Sequence, residues 1–379
     1  MDTAAENILA AAAKGRKVVL GHDWLTGMRG GERVLSHFCE AFPDAPLVTL
    51  LADPASVTDV ISRREITTSY LQRIPGITRN YRKMLPLMGG AATSVKVPRG
   101  DLLLTTSSCV AHAFNPPAGM KMLCYCFTPM RYAWLFPKEY LGPAKAALAA
   151  PYLAYLRRWD RLHTDRVDRF VALSRHVHDR ILKFYGRDSD VVYPPVDTVR
   201  CTPAPDGGDG NGGYDLVVSA IVPYKKIGLA VEAYGRLGYP LKVVGVGGEL
   251  DKLRRNAAPN VEFLGWRSDD DVLALYRNCR LLVFPGEEDY GIVPLEAMAC
   301  GKPVVAFGKG GATETVLDGV SGLFFAEQTP DALIDAVGRA ARAKWDRAAI
   351  RRRAEQFDAA QFLAGMAESV RKCLEEPRL

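Results

Sequence analysis

The sequence predicts an α/β protein built from two doubly wound parallel-sheet domains. Short apolar runs alternate with amphipathic helical patterns along nearly the whole chain, which is the signature of strand–helix–strand units. The alternation is broken once, by the Pro- and Gly-rich stretch at 203–213, and then restarts. The length of 379 residues suits two domains.

Lys17-Val18-Val19-Leu20-Gly21-His22 reads as the first strand. A polar loop, Asp23 to Gly31, leads to an amphipathic helix from Glu32 to Ala41. Leu47 to Leu51 is a second strand, and Asp101 to Thr106, Lys121 to Cys126 and Arg169 to Ser174 are further buried ones. The rest of Pro143 to Tyr185 reads as helix. After the break come strands at Asp215 to Ala220, Leu241 to Val246, Val261 to Leu264, Leu281 to Phe284 and Pro303 to Phe307. Helices are expected at Gly228 to Leu237, at Asp269 to Asn278 and from Pro294, and Asp331 to Leu379 reads as helical throughout. The expected divisions are a domain over 1–200, a flexible linker over 201–213, a second domain over 214–355, and a helical segment over 356–379 that crosses back to the first domain.

Composition narrows the function. A hydrophobic fraction of 48% and a charged fraction of 24% are those of a globular protein with a sizeable core. The net charge of +6 is uneven: residues 1–195 carry 26 Lys and Arg against 17 Asp and Glu, the remainder 23 against 26. The first half therefore suits an anionic partner. No nucleic-acid-binding motif or base-stacking pattern accompanies the arginines, so nucleic acid is not expected as a partner. The eight cysteines form no CxxC pair and sit mostly in apolar runs, as reduced thiols of a cytoplasmic protein do. No secretory signal and no membrane-spanning run is expected.

The most telling stretch is Glu288-Asp289-Tyr290-Gly291-Ile292-Val293-Pro294-Leu295-Glu296, directly after the apolar run Leu281 to Phe284. It reads as a buried strand, an acidic glycine-bearing turn and a helix opening at Pro294. That places two carboxylates at the carboxyl end of a strand, where open α/β sheets bind ligands. Backbone N–H groups of Gly291, Ile292 and Val293 at a helix start can hold a phosphate. Carboxylates for hydroxyls beside amides for phosphate suit a nucleotide sugar. The blander alternative is an acidic helix start that complements the helix dipole. Asp269-Asp270-Asp271 opens a helical pattern and reads as a capping run, not a metal-binding pair. No metal site is expected.

These segments resemble the retaining glycosyltransferases of family 4, which have the GT-B fold of two Rossmann-like domains facing a central cleft. The paired-glutamate segment carries the resemblance together with His22-Asp23-Trp24-Leu25, Arg29-Gly30-Gly31-Glu32 and Thr128-Pro129-Met130-Arg131-Tyr132-Ala133-Trp134. So do Tyr193-Pro194-Pro195-Val196-Asp197, Val222-Pro223-Tyr224-Lys225 and Gly310-Gly311-Ala312-Thr313-Glu314. More narrowly they resemble bacterial mannosyltransferases of O-antigen and exopolysaccharide synthesis. The resemblance implies an acceptor-side first domain and a nucleotide-sugar-binding second domain. It implies that Glu296 accepts from the ribose hydroxyls and Glu288 contacts the transferred sugar. Gly291, Ile292 and Val293 would offer amides to the diphosphate, Lys225 would neutralise it, and Gly30 and Gly31 would let backbone approach it. Asp23 is a candidate contact on the acceptor side.

Two positions depart from the family pattern. Phe127 stands where the family has a histidine, and Ala220 where it has an arginine. Neither replacement supplies a charge, so Arg131 and Lys226 are the candidates to compensate. The implied function is metal-independent transfer of a sugar, mannose from GDP-mannose first among the donors, to a glycan or polyprenyl-diphosphate-linked acceptor. No cofactor is implied beyond the nucleotide-sugar co-substrate. The alternative is a catalytically weakened nucleotide-sugar-binding scaffold of a polysaccharide assembly complex. A dinucleotide-dependent oxidoreductase would suit Asp53 after the second strand, but Gly27 to Gly31 do not spell GxGxxG. The basic, apolar segment Ser69 to Met88 suits an anionic membrane surface, which would place the protein on the inner face of the cytoplasmic membrane.

Overall fold

The computed structural model describes residues 3–135, 137, 142–204 and 212–376. The chain divides into two compact units, Met1–Pro194 with Ala359–Leu379, and Pro195–Asp358.

The first unit is built on seven parallel strands: β1 (Val18–His22), β2 (Leu47–Thr49), β3 (Ile66–Thr68), β4 (Leu102–Ser107), β5 (Lys121–Cys126), β6 (Arg169–Ala172) and β7 (Ser189–Val191). They lie in the order β3-β2-β1-β4-β5-β6-β7. Leu20 registers with Leu47 on one side of β1 and with Leu104 on the other. Strand order reverses between β1 and β4, so the loops that leave these strands open a crevice at their carboxyl ends. β1 and β4 are buried along their whole length. That burial on both faces suits the unbroken apolar starts of both strands, Val18-Val19-Leu20 and Leu102-Leu103-Leu104.

The helix Ala359–Glu375 completes this unit. Phe362 packs 5.5 Å from Phe38 and 5.7 Å from Tyr125, ring centre to ring centre. A side chain at Gly365 would come within 2.9 Å of Val192, so only glycine lets the helix settle there. Ser369 Oγ donates to Asp190 Oδ2 at 2.7 Å, and Arg169 grips the same carboxylate at 2.7 and 3.0 Å.

The second unit has six parallel strands: β8 (Asp215–Val218), β9 (Leu241–Val244), β10 (Val261–Gly265), β11 (Leu282–Phe284), β12 (Val304–Phe307) and β13 (Gly322–Phe325). Their order is β10-β9-β8-β11-β12-β13, with the switch point between β8 and β11. Its core gathers Val217, Val243, Val283 and Val305 from the strands with Tyr234, Leu333 and Val337 from flanking helices.

The structure corrects several element boundaries. The helix expected from Pro294 begins at Ile292, because Gly291 with φ of +106° turns the chain into it and a proline is tolerated in a first turn. The C-terminal region is three helices, Pro330–Arg342, Arg347–Glu355 and Ala359–Glu375. Asp346 Oδ1 accepts from Ala348 N and Ala349 N at 2.9 and 3.1 Å and starts the second of them afresh. β3, β7 and β13 add three short strands at sheet edges. The division between units falls after Pro194, ahead of the boundary expected at 200. Val196 N donates to Phe357 O at 2.8 Å, and Arg351 Nη1 donates to Cys201 O at 2.9 Å, so this stretch belongs with the second unit. Of the expected linker, residues 205–211 lie outside the described residues. All eight cysteines are buried as free thiols, and burial pushes the Cys124 thiol up to about 12.

Candidate functional site

In the second unit, the loops leaving β8 and β11 meet. β8 is followed by the tight turn Pro223–Lys225, and Lys226 closes it in the left-handed conformation at φ of +55°. Among the described residues it is the one non-glycine with positive φ, a strained backbone of the kind that clusters at functional sites. After β11, Gly286 runs against this turn: a Cβ there would lie 3.0 Å from the Lys225 Cα and carbonyl oxygen. That close approach brings the Lys225 ammonium onto Glu288 Oε2 as an ion pair. The ammonium also lies 5.4 Å from the ring centre of Tyr224.

Glu288 is held by its own backbone. Gly311 N donates to Glu288 O at 2.8 Å, and Gly310 pairs with Glu288 as an isolated bridge. A Cβ at Gly310 would come within 2.5 Å of Glu288 O, and one at Gly311 within 2.3 Å of Tyr290 Cα. The Gly310-Gly311 pair is thus a steric requirement of the loop that presents Glu288. Three residues on, Gly291 turns the chain into the helix Ile292–Ala299. The first N–H groups of a helix have no acceptor one turn back. Here those of Ile292 and Val293 belong to half-buried residues at the carboxyl edge of the sheet. One turn into the same helix, Glu296 Oε2 accepts from Tyr276 Oη at 2.8 Å. The second unit therefore brings together an ammonium paired with a carboxylate, a helix start with unshared amides, and a second carboxylate held by a phenol. Ala220 is exposed and Lys226 is exposed beside Lys225.

In the first unit, the β1–helix turn holds the remaining candidates. Gly30 opens the helix Gly30–Ala41, and a Cβ there would meet nothing within 4 Å. At Gly31 a Cβ would come within 3.2 Å of the Phe127 ring and 3.4 Å of His22. Phe127 also sits edge-on to Tyr125 at 5.5 Å, so it acts here as packing for the turn. Below it, His22 Nδ1 shares a hydrogen bond with Thr106 Oγ1 at 2.6 Å, and His22 Nε2 lies 3.9 Å from Glu32 Oε1. Burial alone would raise the Glu32 carboxyl, but the hydrogen bond and charge from His22 bring it below its usual range. Arg131 begins the short helix Arg131–Trp134, which Trp134 Nε1 ties to Asp160 Oδ2 at 2.7 Å.

Asp23 is placed differently from its expected acceptor-side role. It is 2% exposed. Its oxygens accept from Ser108 N at 2.6 Å, Ser108 Oγ at 3.0 Å, Val110 N at 2.8 Å and Ala111 N at 2.7 Å. The carboxylate organises the loop after β4. Tyr276 is the residue that the motif reading missed, because it precedes the motif and touches it only through space. Asp269-Asp270-Asp271 forms a first helical turn behind the cap Ser268, whose Oγ accepts from Asp271 N at 3.2 Å. Among the described residues, no group of three His, Cys, Asp or Glu side chains could hold a metal ion. Nor is any described helix long and apolar enough to cross a membrane.

Residues 209–357 match the family described as glycosyl transferases group 1. An uncharacterized glycosyltransferase of Methanocaldococcus jannaschii is 29% identical over 45% of this chain and 48% of its own. A GDP-mannose-dependent α-(1-6)-phosphatidylinositol monomannoside mannosyltransferase of Mycolicibacterium smegmatis is 32% identical over 44% of this chain and 51% of its own. A D-inositol 3-phosphate glycosyltransferase of Mycolicibacterium gilvum is 30% identical over 46% and 44%. The matched stretches span about half the length of these relatives. Among solved structures, Anabaena HepE in complex with UDP-glucose superposes with a TM-score of 0.67 at 18% identity, covering 93% of this chain and 98% of its own. The lipopolysaccharide outer core galactosyltransferase WaaB superposes at 0.63 with 15% identity over 93% and 98%. The chain has the two-Rossmann-domain α/β fold of GT-B glycosyltransferases, and its second unit carries the group 1 glycosyltransferase match.

Proposed function

We propose that this protein transfers a sugar from a nucleoside-diphosphate donor to an acceptor hydroxyl, with retention at the anomeric carbon. The observation that carries the reading is the Lys225–Glu288 pair beside the helix start at Gly291, within the stretch that matches the glycosyltransferase family. The C1–O bond to the diphosphate breaks as negative charge grows on the leaving group, and fixed donors placed there lower the barrier. The amides of Gly291, Ile292 and Val293 and the Lys225 ammonium supply such donors, with Lys226 as a further cation. Glu288 accepts from hydroxyls of the departing sugar, and Glu296 from the ribose. The acceptor oxygen bonds to C1 on the face the phosphate leaves, and its proton passes to a phosphate oxygen. No protein-held metal takes part in this scheme. Asp23 serves by positioning the loop after β4.

Mannose from GDP-mannose is the first donor to test, supported by the motif resemblance and by the mannosyltransferase relative. The proposed acceptor is a glycan or a polyprenyl-diphosphate-linked sugar at the cytoplasmic membrane surface. The first unit supports that placement. Between residues 66 and 100 there is no Asp or Glu, while Arg73, Arg79, Arg82 and Lys83 are exposed beside exposed Tyr70 and Leu87. Helix Ala150–Leu162 adds exposed Tyr155, Arg158, Arg161 and Leu162, and its Trp159 lies against Gly89. Cations and apolar side chains together are what an anionic lipid surface binds.

The test is release of nucleoside diphosphate by purified protein from GDP-mannose, UDP-glucose and related donors, with lipid-linked acceptors, in the presence and absence of EDTA. Acceptor-dependent turnover that E288A abolishes supports the proposal. Donor binding by calorimetry without turnover on any acceptor would assign the protein to the scaffold alternative.

A further inference from the structure

We infer that Tyr276 is the positioning residue that makes this site select a ribonucleoside diphosphate over its 2′,3′-dideoxy counterpart, acting through Glu296. The inference rests on the reading of Glu296 as the ribose-binding carboxylate.

Tyr276 is the buried side chain of the helix Asp269–Asn278, and it is 2% exposed. Its hydroxyl donates to Glu296 Oε2 at 2.8 Å. The helix that carries it is fastened at both ends. Ser268 and Asp271 close a capping box at its start, with Ser268 Oγ donating to Asp271 Oδ2 at 2.7 Å. At its end Arg277 donates to Thr202 O at 2.8 Å and to Thr202 Oγ1 at 2.7 Å. A ring held this way cannot swing its hydroxyl to another acceptor. Burial, and then the Glu296 charge, push the phenol well above its usual range, so it keeps its proton and remains a donor.

An ionised carboxylate offers about four lone-pair positions. Tyr276 occupies one and helps to orient the group. The two hydroxyls of a ribose are donors at a fixed spacing, and they bind together only to acceptors whose directions are already set. A carboxylate that has lost this bond must order itself further on binding, and that cost falls on the diol. The diphosphate contacts proposed for Lys225 and for the amides at Gly291 to Val293 are made by other groups than the carboxylate the phenol touches, although those amides open the helix that carries Glu296. Loss of the hydroxyl therefore acts on selection between sugars and leaves phosphate binding in place.

The experiment is calorimetric titration of the full chain and of Tyr276→Phe with GDP, UDP and their 2′,3′-dideoxy forms. Wild type is expected to prefer the better-bound ribonucleotide over its dideoxy form by roughly tenfold or more, the loss typical of hydrogen bonds to a charged group. Tyr276→Phe should lose most of that preference through weaker ribonucleotide binding, with dideoxy affinity changed by less than about twofold. The ratio of two ligands on one preparation is insensitive to a partly folded fraction, so a stability defect does not mimic the result. Glu296→Gln should lose the same preference, and the double variant should lose no more than either single one. A Tyr276→Phe protein with the wild-type preference overturns the inference and leaves the Glu296 reading standing. A wild type without any preference, or without nucleotide binding, overturns that reading as well.

Discussion

The Lys225 ammonium rests on the Glu288 carboxylate across the carboxyl ends of two neighbouring strands, β8 and β11. The contact depends on residues that have no charge. Gly286 lets the two loops touch, and Gly310 with Gly311 fixes the backbone from which Glu288 projects. Both members of the pair are only about one-sixth exposed, 16% and 17%, so the site already shields a positive and a negative group from water. On the proposed function, a diphosphate would offer Lys225 a second anion, and the sugar hydroxyls would offer Glu288 a second set of donors. In the proposed function the pair would hold both groups in a compact arrangement ahead of the donor.

This makes the two charges unequal in their expected effects. Glu288→Ala should abolish measurable turnover and lower the melting temperature only modestly, because the backbone of 288 is held by Gly311 whatever the side chain, while the shielded Lys225 ammonium loses its partner. Lys225→Ala should lower kcat/KM by about 10²–10³, the loss found when one charge-stabilising donor is removed from a transition state. Steady-state kinetics with thermal melts on the same samples separate the two outcomes from unfolding.

The glycines give a sharper contrast. A Cβ at Gly30 meets nothing and needs no unusual backbone, so Gly30→Ala should fold as wild type. Gly311→Ala puts a methyl 2.3 Å from the Tyr290 Cα and should destabilise the second unit by about 1–3 kcal/mol or more. Chemical denaturation monitored by circular dichroism reads both outcomes.

The sheets were legible because their central strands are buried on both faces and leave long apolar runs. β3 and β7 were not, since three half-buried residues at an edge, such as Ile66–Thr68, carry no periodicity to detect, and the four residues of β13 are too few to show one. The motif around Glu288 and Glu296 stood out locally, but the contacts that organise it did not. Tyr276 meets Glu296 across 20 positions, and Asp23 meets its loop across 85 to 88. Side-chain bonds of that span leave no pattern in the intervening residues. The left-handed Lys226 was equally invisible, because nothing in a lysine announces positive φ.

Stability of the first unit should fall on both sides of neutrality for separate reasons. Burial alone would raise the Asp190 carboxyl, but the hydrogen bonds from Arg169 and Ser369 hold it below its usual range. A carboxyl lowered in the folded state adds stability above its unfolded value near 3.9, and that stability is lost as pH falls through the folded value. Burial would lower the His112 imidazole, but the charge and hydrogen bond of Asp160, whose Oδ1 is 3.2 Å from His112 Nε2, raise it instead. A raised imidazole adds stability fully below about 6.5, which is lost as pH rises through the folded value. Asp190→Asn should flatten the acid limb of a plot of melting temperature against pH, and His112→Gln the alkaline limb. Unchanged limbs in either variant would remove that group from the account.

Asp23 separates a holding role from a chemical one. Its carboxylate receives the N–H groups of Ser108, Val110 and Ala111 in a buried place, so removing its charge leaves those donors poorly satisfied. Each buried donor left without an acceptor costs about 1–3 kcal/mol. Asp23→Ala should therefore lower the melting temperature of the first unit markedly, and Asp23→Asn less, since the amide oxygen still accepts some of the bonds. Turnover per folded molecule of Asp23→Asn should stay within a few-fold of wild type, with the pH profile of kcat unchanged. An Asp23→Asn protein that melts like wild type but has lost two or more orders of magnitude in kcat would show instead that this carboxylate acts on the acceptor directly.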